Sequence, residues 1–304
     1  MAEFISNGVV YQNQEDFIRH GRRCATPNLN DHQISQVNDH LARFRAANDT
    51  AAGRFMERIG VITIPMYFIH ILNGNQGQIT EEQRQQQVAV LNEAYKPHQI
   101  TFQYNPEHVK VVDNAVWFGM DLESVAEQEA KNALHEDARA FLNFYTCSPP
   151  GGTLGWATWP KDLSRAPEMD GVVVLHASLP GGSATPYNLG ATATHEVGHW
   201  LGLYHTFQGG CFGVNDEVSD TMPHAGPNFG KPEVGLRHNA CGASMQAPVQ
   251  NYMNYVDDDW MNHFTPLQVV RMRDHVGAFR PELLTAGAAD PEVMRSFQPV
   301  VLNR

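Results

Sequence analysis

The hydrophobic pattern of this chain changes character along its length. Residues 61–72 form a β-branched and aromatic run that predicts a strand. Thr80-Glu81-Glu82-Gln83 has the form of a capping box and opens a helix to about Tyr95. Apolar stretches at 100–104, 141–145 and 172–176 predict further strands, and 122–134 and 188–201 predict helices. Gly151, Gly152 and Gly155 punctuate the loop ahead of the 172–176 strand. Residues 206–250 are rich in Gly, Asn and Pro and show little periodicity. Thr265-Pro266 then starts a last helix, with Thr suited to the N-cap and Pro to the first helical position. Its apolar positions are Val269, Val270, Met272 and Val276. Residues 1–58 differ from the rest: they are polar, with one helical pattern at 31–47 built on Ile34, Val37, Leu41 and Phe44. That stretch reads as an extension leaning on another surface.

Composition adds a boundary. Apolar residues make up 42% of 304, enough for a sizeable core, and the formal charge is -12. An acidic chain without a basic face argues against a nucleic-acid or anionic-membrane partner. The acidity is all downstream: up to Arg58 there are seven basic and seven acidic residues, leaving 14 basic against 26 acidic beyond it. No apolar run is long enough to span a bilayer, and Met1 to Ser6 lacks the features of a secretory signal. Four cysteines, Cys24, Cys147, Cys211 and Cys241, are too few for a disulfide-framework protein.

The most informative stretch is His195-Glu196-Val197-Gly198-His199-Trp200-Leu201-Gly202-Leu203-Tyr204-His205. His195 and His199, four apart, place two imidazoles on one helical face, a spacing that suits one zinc ion. Glu196 sits beside the first ligand as a carboxylate able to reach water at the metal. Gly202 lets the chain leave the helix sharply, so that His205 can return as a third ligand. Three protein ligands with an open fourth position mark a catalytic zinc.

The pattern H-E-x-x-H-x-x-G-x-x-H is that of the metzincin proteases, and Met253, 48 residues after His205, stands where their Met-turn falls. The flanks around 195–211 and 251–268 resemble the pappalysin family, the ulilysin-type and fungal extracellular metalloproteases, as do 61–72 and 154–160. The resemblance implies an α/β (α+β) metzincin fold. An upper subdomain would hold a mixed, mostly parallel five-stranded sheet and two long helices; a lower, loop-rich subdomain would hold His205, the Met-turn and a C-terminal helix. It implies a zinc endopeptidase with Glu196 as general base, Tyr255 as oxyanion donor and Met253 as an apolar floor. Asp259 would sit at the base of a pocket for substrate Arg or Lys, so that cleavage falls before basic residues.

Asp216, Asp220 and Thr221 resemble a family calcium segment, although Asn215 and Met222 depart from its usual Gly and Pro. Cys211 and Cys241 match a family disulfide; a second family pair falls on Lys231 and Trp260 and is absent. Arg22-Arg23-Cys24-Ala25-Thr26 resembles the RxCGT segment of family pro-regions, with Ala25 for Gly. Cys24 is then a candidate zinc ligand in a latent form, and a free thiol or a disulfide to Cys147 is the alternative. The domain reading is a pro-segment over 1–58, a catalytic domain over 59–280 and a tail over 281–304. Activation would follow self-cleavage before Arg54 or Arg58. A secreted, monomeric enzyme acting on proteins or peptides is expected, with a non-catalytic zinc-binding module or a narrow-specificity processing protease as alternatives.

Overall fold

The computed structural model describes residues 4–6, 9–11, 23–50, 53–213 and 215–285. Most of the expected tail from 281 and much of the first 22 residues of the expected pro-segment lie outside the described residues. In chain order the elements are β1 (Phe4–Ser6), β2 (Val9–Tyr11), α1 (Asp31–Asn48), α2 (Phe55–Arg58), β3 (Ile62–Leu72), α3 (Glu81–Tyr95), β4 (Ile100–Gln103) and β5 (Val109–Asp113). There follow α4 (Ala115–Phe118), α5 (Val125–Leu134), β6 (Leu142–Cys147), β7 (Gly155–Ala157), β8 (Val172–Leu175), α6 (Ala191–Trp200), α7 (Pro266–Phe279) and α8 (Glu282–Thr285).

The main sheet runs β4-β3-β6-β8-β7, with β5 also on β3. All pairings in it are parallel except that of β7 with β8. The N–H groups of Ile62 and Phe68, six residues apart on one pleated strand, bond Gln99 and His108. Equal parity puts both bonds on one edge of β3, so β4 and β5 share that edge in series. The sheet is thus five positions wide but built from six strands, one more than the five expected.

β3 reads as a continuous apolar run because both sheet faces are covered. Ile62, Ile64, Met66 and Phe68 join α3, α6 and α7 in the principal core, whereas Ile69 and Ile71 join Trp156, Phe118 and Leu134 on the opposite face. The expected capping box forms at Thr80–Gln83, and the expected N-cap Thr265 forms a second with Gln268. Gly155, read as part of a loop, opens β7, an edge strand too short to announce itself.

The polar N-terminal region does lean on the domain, and through its core. Phe44 of α1 and Phe55 of α2 are fully buried with Met272 and Val276 of α7. His40 Nε2 lies 3.1 Å from the Ala278 carbonyl, and Arg45 pairs with buried Asp274 at 2.6 Å.

Candidate active site

α6 is ten residues long and every one of them is buried. His195 and His199 lie one turn apart on it, and the helix then stops. Gly202 takes φ +95°, a conformation L side chains rarely adopt, and a Cβ there would run into the His275 ring of α7. The turn brings His205 back, so that the Nε2 atoms of His195 and of His205 each lie 3.1 Å from that of His199. Each outer ring nitrogen has an acceptor: His195 Nδ1 the Tyr252 carbonyl and His199 Nδ1 the Leu203 carbonyl, both at 2.7 Å, and His205 Nδ1 the Asn28 amide oxygen at 3.3 Å. The protons therefore sit on Nδ1 and three lone pairs converge. Burial lowers all three pKa values, that of His195 to about 4, so the rings are neutral, as metal ligation requires. A tetrahedral ion with bonds of about 2.0–2.1 Å would set its nitrogens roughly 3.3 Å apart, so the donor set fits zinc. Cys24 joins it: the ligand atoms of Cys24, His195, His199 and His205 all lie within 4.8 Å of one another.

Met253 lies fully buried beneath this group. A Cβ on Gly198 would strike its sulfur, so the glycine inside the histidine motif is what lets the floor approach the helix. Sequence reasoning passed over Gly198, because the motif leaves that position open. The same turn fastens two ligand arms, through Tyr252 O to His195 and through Met253 O, which accepts from Thr206 N at 3.2 Å. Tyr255 points its hydroxyl into the site, 3.1 Å from His205 Nε2. Phe207 stacks on His205 with centroids 4.8 Å apart, and Trp159 meets His199 edge-on at 5.3 Å.

Glu196 is 1% exposed, and burial pushes its carboxyl up to about 8 against the opposing hydrogen bonds of Cys24 and Thr26. The Cys24 thiol lies 3.5 Å from Glu196 Oε2, and the Thr26 hydroxyl donates to the same oxygen at 3.0 Å. Thr26 Oγ1 in turn accepts from Ala157 N at 2.9 Å. The segment lies along β7 in parallel register, Cys24 opposite Gly155, with Leu154 N bonding Arg23 O at 2.7 Å and Ala25 N bonding Gly155 O at 2.9 Å. Burial, then the Glu196 charge, push the Cys24 thiol well above its ordinary range; a dication among the imidazoles would draw it into ligation. Cys24 is not disulfide-bonded, and Cys147 is fully buried on β6.

Beside the imidazoles is a pocket lined by Arg23, Thr192, His195, Tyr255, Asp258 and Met261. Arg23 is 6% exposed; its Nη1 donates to the Tyr255 carbonyl and its Nη2 to that of Val256 at 3.2 Å. The structure does not bring Asp259 here. Its side chain is 46% exposed and pairs with Lys231 on the surface. Asp258 faces the pocket instead. One of its oxygens accepts from Leu189 N at 2.9 Å and Ala191 N at 3.2 Å, capping α6, and the other has no hydrogen-bond partner among the described residues. Burial raises its pKa to about 6, against the favourable charge of Arg23 and those two backbone bonds. Three consecutive aspartates carry no periodic signal for which one turns inward; the fold decides.

Of the three expected calcium donors, Asp216 and Thr221 meet each other and Asp220 turns away. Asp220 spends one oxygen on Thr265 Oγ1 at 2.6 Å and the other on Leu267 N at 2.9 Å, supporting the start of α7. Thr221 directs its hydroxyl onto the buried Asp216 carboxylate at 2.6 and 2.7 Å. Cys211 and Cys241 are joined by a disulfide, as the resemblance implies. At the second, missing pair Lys231 instead forms an ion pair with Asp259, the neighbour of Trp260.

A buried glutamate beside three converging imidazoles, over a methionine turn and under a mixed sheet, defines a zinc metalloprotease of the metzincin class. The family model described as Pregnancy-associated plasma protein-A matches residues 140–277. An "Extracellular metalloprotease" of Colletotrichum graminicola is 38% identical over 266 residues, 84% of this chain and 90% of that protein. The chain belongs to the pappalysin family of metalloendopeptidases. Among solved structures, mature mirolysin of Tannerella forsythia with a cleaved peptide is 26% identical, covering 79% of this chain and 99% of its own, with a TM-score of 0.66. A promirolysin mutant shares the fold at a TM-score of 0.70 and 24% identity, covering 91% of this chain and all of its own.

Proposed function

We propose that this chain is a secreted zinc endopeptidase, made as a latent precursor over 1–58, that cuts before arginine or lysine. One observation carries the reading: Arg23 to Thr26 lies along the edge strand with a thiol at the imidazoles, a hydroxyl on Glu196 and the Arg23 side chain at the wall of the adjoining pocket. Each group blocks something a substrate would need. The extracellular relative supports secretion, and the drop in coverage from 91% for the promirolysin to 79% for the mature form supports a removable part.

Zinc, when bound by His195, His199 and His205, supplies Lewis-acid polarisation of the scissile carbonyl. Once the segment leaves, Glu196 is free to take a proton from the attacking water and return it to the departing amine. The Tyr255 hydroxyl is placed to donate to the developing oxyanion. Asp258, with one uncommitted oxygen, takes over the role expected of Asp259 and faces a basic side chain beside the scissile bond. Cleavage before Arg54 or Arg58 would still leave α1 seated on α7 by Leu41 and Phe44, so release of the segment is a second event. A calcium ion at Asp216 belongs to this reading only if that carboxylate exchanges Thr221 for the ion; an unchanged Tm in millimolar calcium would remove it.

The zinc-saturated full chain with Cys24→Ala is expected to shorten itself about tenfold faster, a barrier change of ~1.4 kcal/mol. Arg23→Ala added to it should accelerate processing again. Time-resolved gels with N-terminal sequencing read both rates, and an unchanged rate for Cys24→Ala counts against latency by this thiol. Peptide-library cleavage by the doubly substituted chain should place Arg or Lys just after the cut.

A further inference from the structure

We infer that Tyr187, which cradles Arg23 at the edge of the pocket beside the zinc site, makes that subsite selective for arginine over lysine. The inference rests on the basic-pocket reading above and adds a residue to it. Tyr187 is 1% exposed and packs with Leu154 and Leu175 at the end of the sheet. The Arg23 guanidinium carbon stands 3.6 Å above its ring centroid, within cation–π distance. The same guanidinium donates through both terminal nitrogens, to the carbonyls of Tyr255 and Val256. The cation is thus held between an aromatic ring and two backbone acceptors.

That arrangement distinguishes the two basic side chains. A guanidinium is planar, weakly hydrated and forked, and satisfies ring and carbonyls at once. An ammonium is a compact, strongly hydrated point charge. It can approach one carbonyl or the Asp258 oxygen, but offers the ring no flat surface and leaves an acceptor unmet. Asp258 attracts either cation; Tyr187 and the carbonyl pair choose between them. Arg23 is one residue from Cys24, whose thiol reaches Glu196, so the pocket serves the side chain adjoining the reacting bond.

The test uses the zinc-loaded chain with Arg23→Ala and Cys24→Ala, assayed after its self-processing and release of the segment are complete, so that pocket, metal and Glu196 are all clear. Matched peptides with Arg or Lys after the cut should differ about tenfold in kcat/KM in favour of Arg. Adding Tyr187→Leu should bring the ratio close to one, and Tyr187→Phe should retain it. A ratio unchanged by Tyr187→Leu, or near one in the parent, overturns the inference. No preference for a basic residue at all would instead remove the basic-pocket reading on which it rests. If the leucine variant does not fold, competition on the parent decides. Butylguanidinium should inhibit about tenfold more strongly than pentylammonium, and equal inhibition overturns the inference.

Discussion

Glu196→Ala, placed in the full chain already carrying Arg23→Ala and Cys24→Ala, is expected to lower kcat by about a thousandfold. Zinc content should not change, because the three imidazoles donate their Nδ1 hydrogen bonds to Tyr252, Leu203 and Asn28 and none to Glu196. KM should move little, since the carboxylate acts on the proton in flight more than on bound peptide. Tm should rise slightly. Glu196 is 1% exposed and burial lifts its pKa to about 8, so the fold holds this carboxylate against a desolvation cost that alanine removes. A group kept at such a cost is one selected for chemistry. Steady-state kinetics with zinc analysis and thermal unfolding check all four points. A loss of kcat under tenfold would mean that another base serves.

The parts of this molecule that are legible in its sequence are those set by local periodicity and fixed spacing. β3, α3 and α7 announce themselves through a β-branched run, a capping box and a Thr-Pro helix start; both ends of β3 and α3 and the start of α7 fall within a residue of those signals. The three histidines are legible because helical geometry converts a spacing of four into a shared face. What is not legible depends on distant contacts. β7 has three residues, too few to show a period, yet it is the edge on which Cys24 lies. The pocket forms from Arg23 and carbonyls more than 230 positions further along the chain. Asp257, Asp258 and Asp259 look alike in sequence; α6 needs a cap, and the residue that reaches its free N–H groups is the one drawn inward. α1 looks polar overall, and only the fold shows that its thin apolar stripe completes the core of another element.

Asp170→Ala is expected to be among the most damaging changes outside the chemistry, costing about 3–5 kcal/mol. Asp170 and Arg280 are each 1% exposed, and Arg280 donates to both carboxylate oxygens, at 2.7 and 3.0 Å. The Trp200 indole donates to the same carboxylate at 2.9 Å and the Thr158 hydroxyl at 3.1 Å. The guanidinium also lies 3.8 Å above the Trp200 ring. This one carboxylate therefore joins the strand entering β8, the residue after β7, the last residue of α6 and the end of α7. Arg280 Nε has no acceptor among the described residues, so the buried cation depends on Asp170 for its neutralisation. Alanine would strand that cation, which is the costly way to break a buried pair. Replacing both partners with apolar residues, Asp170→Leu with Arg280→Met, should recover much of the loss, because no charge is then left behind. Urea unfolding at saturating zinc measures the difference, with m unchanged if the transition remains two-state. Since Trp200 follows the ligand His199 directly, the alanine variant should also release zinc to a chelator faster at temperatures below its Tm. A stability loss under ~1 kcal/mol would show that water reaches Arg280, and the node would then be a local contact and not the joint that holds α6 against the sheet.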